Sequence, residues 1–77
     1  MSNTIPLSNL EIGKTGIIKE INCENIKRRL YDLGFIPDTS ITPIFTSIFN
    51  DPCAYMIRNI TIALRKSDAD KILVFTK

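Results

Sequence analysis

The side chains that could hold a metal ion or attack a substrate are few: two cysteines, Cys23 and Cys53, and eight carboxylates, with no histidine anywhere. A stable iron or zinc site needs clustered cysteine, histidine or carboxylate ligands. The two cysteines lie 30 positions apart without C-x-x-C spacing. Two thiols and a carboxylate could still meet in the fold, but two small, buried or half-buried side chains are the better reading. Without histidine the commonest general base is missing, and neither a Ser/His/Asp nor a Cys/His arrangement can form. Gly13, Gly16 and Gly34 are too scattered for a phosphate-cradling loop. An enzyme is therefore the least expected class, no cofactor is expected, and docking onto another molecule is the expected role.

The elements that must position any such surface belong to a single domain spanning residues 1–77. A chain of 77 residues can bury only about 60–65% of its unfolded surface, so nearly every large aliphatic must join one compact core. The composition, 44% hydrophobic and 23% charged, is that of a globular chain. Ten basic residues are offset by eight acidic ones, which is too even a balance for a surface that tracks phosphates. Lys27-Arg28-Arg29 is the only basic run. No stretch approaches the ~20 apolar residues of a membrane helix, and Met1 to Thr4 lacks the regions of a signal peptide. A cytosolic protein with free thiols is the expectation.

Pro6-Leu7-Ser8-Asn9-Leu10 reads as one helical turn, and Thr15 to Ile21 as a β-branched strand. One helix is expected from about Glu24 to Leu33. Asn22 can cap it, and Ile26, Leu30 and Leu33 form an apolar stripe. Glu24 is placed to pair with Arg28. Gly34 fits the left-handed position after the helix, Phe35 can fold back onto the last turn, and Pro37 forbids continuation. Ser40 to Ile48 reads as a strand in which Pro43 marks an edge or a bulge. After a turn at Phe49-Asn50-Asp51-Pro52, two strands follow, Ala54 to Arg58 and Ile60 to Arg65, hinged at Asn59. In the second, Ile60, Ile62 and Leu64 share one face. Ser67-Asp68-Ala69-Asp70 can cap a short helical turn, and Ile72 to Thr76 is the last strand. Five short strands and one helix predict a mainly β fold, a small and partly open barrel with short helical turns.

Three segments carry more than fold: RRLYDLGFIPDT at 28–39, NDPCAYMIRNITIALR at 50–65 and SDADKILV at 67–74. In this order and spacing they resemble the FeoA family, short proteins associated with the ferrous-iron transporter FeoB. The N-terminal Leu7-x-x-Leu10 followed by Gly13 also fits, so the resemblance covers nearly the whole chain. Asp38 and Asn59 stand where the family usually has glycine. They are the non-glycine types that best tolerate a left-handed backbone, at roughly 1 kcal/mol each.

The resemblance implies an SH3-like barrel that binds the cytosolic face of FeoB, at its G-protein domain or adjacent cytoplasmic segments, and modulates or assembles the transporter. Arg28, Arg29, Tyr31 and Asp32 lie on the polar side of the expected helix and form the first candidate surface. Any one of them alone reads as solvated charge, with Tyr31 half-packed. Pro52 and Tyr55, flanking the Asp-Pro loop, form the second. Leu30, Leu33 and Leu64 are assigned to the core, and Arg65 to a local pair with Asp68 or Asp70. The alternative keeps the fold as the regulatory SH3-like domain of a metal-dependent transcriptional repressor. That would need a helix-turn-helix domain, and with Met1 at its start the chain is read as complete without one. A polyproline-binding SH3 module is disfavoured by the absence of tryptophan. A single-strand nucleic-acid barrel is disfavoured by scattered aromatics and near-neutral charge.

Overall fold

The computed structural model describes residues 3–22, 24–46 and 51–76, without the side chains of Asn25 and Ile26. Cys23 and the segment from Ser47 to Asn50 therefore lie outside the described residues, as does the Ile26 end of the helix stripe. Six strands form one antiparallel sheet: β1 (Asn3–Pro6), β2 (Gly16–Ile21), β3 (Ser40–Thr46), β4 (Cys53–Ile57), β5 (Ile60–Leu64) and β6 (Ile72–Thr76). Their order is β1-β6-β2-β3-β4-β5, so the sheet curls without closing. Helix α1 (Glu24–Asp32) joins β2 to β3, the short α2 (Lys66–Ala69) joins β5 to β6, and a 3-10 turn (Leu7–Asn9) follows β1.

The strand count corrects the sequence expectation of five. Asn3–Pro6 alone is polar and proline-terminated, but it pairs with β6 from Asn3↔Thr76 to Pro6↔Leu73. A neighbour's free edge, rather than local pattern, makes it a strand. Pro43 marks a bulge rather than an edge. β3 is interior, pairing β2 through Ser40 and Ile41 and β4 from Thr42 onward, with a register shift between Pro43 and Phe45. The carbonyl of Pro43 accepts from the Gly13 amide at 2.8 Å, tying the 11–15 turn to the bulge.

The end of α1 follows the sequence closely. Phe35 N–H donates to the Leu30 carbonyl at 2.9 Å and Gly34 N–H to that of Tyr31 at 3.0 Å, the paired bonds of a Schellman motif. Gly34 has φ +104°, and Phe35 plunges into the core beside Leu7, Ile18, Ile41, Ile57, Ile72 and Val74. Leu33 is only partly buried, packed against that core. Among the described residues no ion pair joins Glu24 to Arg28, and the start of the helix beside Cys23, where an Asn22 cap is expected, lies at the edge of the described residues. The amide of Asn22 donates to the Lys71 carbonyl at 2.7 Å. Gly16 is closely approached: a methyl there would stand 3.1 Å from Leu10 and 3.2 Å from Val74, so those side chains would have to give by a few tenths of an ångström.

Two expectations around α2 are corrected. The helix begins at Lys66, and no side chain at the Arg65 cap position bonds it. Its first amide, Lys66 N–H, donates to Asp51 Oδ1 at 2.8 Å, so the cap comes from the loop before β4 and not from Ser67. Asp70 pairs with Lys66 at 3.9 Å, not with Arg65, and also accepts from the Ser8 hydroxyl.

Candidate partner-binding surface

Helix α1 turns Leu30 into the barrel, and the same geometry turns Arg28, Arg29, Tyr31 and Asp32 outward, where all four are exposed. Arg29 lies in the last turn of the helix, where the macrodipole favours a cation. Lys27 Nζ stands 5.8 Å from the centre of the Tyr31 ring, a cation-π distance that keeps a third basic group beside the aromatic. The result is a basic-aromatic face with one carboxylate at its edge.

A fourth cation joins from elsewhere in the chain. A Cβ placed on Gly34 would lie 3.3 Å from Cδ of Arg58, so the stem of that arginine lies across the helix end. Arg58 and Asn59 form the β4–β5 turn with φ of 50° and 69°, and Asp38 has φ 72°. Asp38 and Asn59 thus take up the left-handed geometry expected of them. Arg58 was invisible as a surface residue because only the tertiary fold brings the hairpin turn against α1.

The second candidate group divides. Pro52 is exposed, but it sits at the other end of β4 from the Arg58 turn, about 20 Å along the strand at ~3.3 Å per residue. Tyr55 is buried, with 3% of its surface exposed. It lies opposite Pro43 and Ile62 on the inner face of the sheet. Burial raises its phenol pKa above the ordinary value, with the Cys53 thiol beside it and the Asp70 and Asp51 carboxylates adding to the effect.

A cleft of about 810 Å³ opens elsewhere, lined by Ile5, Leu10, Ile17 and Phe75 with Glu11 and Lys14 at its rim. It depends on β1, which the sequence pattern does not show. Among the described residues no group of three or more histidine, cysteine, aspartate or glutamate side chains comes together. Cys53 is a free, half-buried thiol, and no helix among the described residues is long and apolar enough to cross a membrane. What the exposed face of α1 offers chemically is charge and an aromatic ring.

Residues 5–75 match the family model of the FeoA domain. A curated relative from Porphyromonas gingivalis, a fusion of Fe(2+) transport protein A with the Fe(2+) transporter FeoB, is 30% identical over 69 residues. The match takes in 88% of this chain but only 8% of that protein. Among solved structures, a FeoA-like protein from Clostridium acetobutylicum superposes with a TM-score of 0.87 at 31% identity, covering 99% of this chain and 90% of that one. The zinc complex of Stenotrophomonas maltophilia FeoA, a prokaryotic SH3 domain protein, shares the fold with a TM-score of 0.79 at 24% identity, over 96% and 88% of the two chains. With an SH3-like, partly open sheet and a family match over nearly its full length, this chain belongs to the FeoA family, whose members are associated with ferrous-iron transport.

Proposed function

We propose that this chain is a cytosolic accessory of ferrous-iron uptake that docks on a FeoB-type transporter and modulates or assembles it, without catalysis of its own. The observation that carries this reading is the Porphyromonas gingivalis relative, in which the homologous segment and the transporter are one polypeptide. Fusion replaces an encounter in solution by a high effective concentration, which is useful when the two parts act together. The face of α1 supplies a docking surface of suitable chemistry: arginine and tyrosine are the types that most often dominate interface energetics.

The test is titration of the purified chain into the isolated cytosolic domain of the same organism's FeoB, with and without guanine nucleotide, read by calorimetry or NMR shifts. Arg28→Glu combined with Tyr31→Ala is expected to weaken binding by about tenfold or more while the melting temperature stays nearly constant. Binding that ignores this double variant would remove α1 from the interface. If neither the cytosolic domain nor the full-length transporter in a membrane binds, docking itself is refuted.

A further inference from the structure

Strand β5 ends the sheet, hydrogen-bonded to β4 alone. Because Arg58 and Asn59 form a two-residue hairpin turn closed by Ile57↔Ile60, the alternation of an antiparallel ladder fixes which groups face which way. Ile60, Ile62 and Leu64 spend their amides and carbonyls on β4. Those of Thr61 and Ala63 point away from the sheet, and no backbone group of the described residues bonds them. Both residues are exposed.

Natural edges are usually blunted by charge, proline or a bulge. The other edge, β1, is four residues long and ends in Pro6. β5 has none of these protections: Ile60-Thr61-Ile62-Ala63-Leu64 is uncharged, β-branched at three of its positions and regular in register. The face beside it is apolar as well. Met56 lies opposite Thr61, and Ala63 lies in one row with Ala54 and Phe45. Phe45 and Met56 on this face are 61% and 45% exposed, and Ile60, on the opposite face of the hairpin, is 47% exposed.

Charge decides the occupant. Arg58 stands before the strand and Arg65 directly after it, so an arginine flanks each end; Lys66 beyond Arg65 is paired with Asp70, and its amide donates to Asp51. On α2, Asp70 is engaged by Lys66 and Ser8, and neither Arg58 nor Arg65 forms an ion pair among the described residues. A second copy paired antiparallel about Ile62 would bring Arg58 diagonally beside the second copy's Arg65, at both ends of the pair, a like-charge arrangement of two arginines without ion pairs that costs stability. We propose that the free edge of β5 takes up an extended segment of a partner protein as a seventh strand, with an uncharged β-branched stretch of about five residues and carboxylates at both ends. The outward amides and carbonyls of Thr61 and Ala63 hold its backbone, its outer-face side chains lie against those of Thr61 and Ala63 with Met56 one strand further in, and the flanking arginines fix its register.

The probe is a capped nonapeptide, Asp-Glu-Thr-Val-Thr-Val-Thr-Glu-Asp, titrated into the isotope-labelled full chain at low salt. Amide shifts and slowed hydrogen exchange are expected at Thr61 and Ala63, and a peptide with lysine at all four flanking positions should bind about tenfold more weakly or worse. Thr61→Pro removes an outward donor and no ladder bond, so it should abolish binding in a folded protein. If that variant does not fold, Arg65→Glu should weaken the acidic peptide and not the basic one. The proposal is overturned by shifts that map elsewhere, by equal affinity for both peptides, or by no binding at millimolar peptide. It is equally overturned if the chain alone dimerises with protection at Thr61 and Ala63, since the occupant would then be a second copy.

Discussion

Tyr55 sits mid-strand in β4 with its ring in the core, and burial makes its phenol harder to ionise than that of a free tyrosine. In an unfolded chain a tyrosine loses its proton near pH 10, whereas folded Tyr55 keeps it to higher pH. Below the unfolded value both states are protonated, and the group's contribution to stability is fully present. Above it the native state binds more protons than the unfolded one, so stability falls as pH rises. Tyr55→Phe cannot ionise. Its stability difference from wild type should be constant from neutral pH to about 9 and shrink above about 10, measured by urea midpoints across that range. Parallel curves to pH 11 and beyond would show that the phenol is not protected. Tyr55 also marks where residue types mislead: an aromatic hydroxyl beside an Asp-Pro loop reads equally well as a surface contact. Adjacent Ala54 and Tyr55 are both buried, so strict alternation fails to sort β4.

At the scale of elements, what a segment says about itself was legible, and what its neighbours impose on it was not. The burial of Leu30, the glycine end of α1 and the exposure of Arg28, Arg29, Tyr31 and Asp32 follow from helical periodicity and backbone conformation, both local. β1, the Arg58 contact with the helix end and the cap on α2 depend on partners far along the chain. The cap is testable. Helix α2 has four residues, too few to be stable by propensity, and its first amide is satisfied by Asp51. Asp51→Ala should cost about 1 kcal/mol and accelerate hydrogen exchange at Lys66. Asp51→Asn, which keeps an acceptor, should cost less. Equal losses for both variants in chemical denaturation would assign the effect to the carboxylate charge rather than to the cap.

For the whole molecule, small size sets a narrow margin. A 77-residue chain is expected to be stable by roughly 4–12 kcal/mol, with an open sheet and no disulfide among the described residues. Phe35 is fully buried where α1 meets the barrel, so it links the proposed docking face to the core. Truncating a buried phenylalanine costs about 3–5 kcal/mol, which is about a quarter of that margin at the least and all of it at the most. Ile60, half exposed on the hairpin, should cost less than about 1 kcal/mol on truncation, because little of its surface leaves water on folding. Phe35→Ala is therefore expected to lower the melting temperature sharply and to lose transporter binding only in proportion to the fraction unfolded. Arg28→Glu with Tyr31→Ala should do the reverse, losing affinity in a protein that still melts like wild type. Measuring both quantities on all three variants separates scaffold from surface. If Phe35→Ala instead stayed fully folded and still lost binding, α1 would have to be held in its docking orientation by Phe35 specifically, and the surface could not be treated as a rigid face of the barrel.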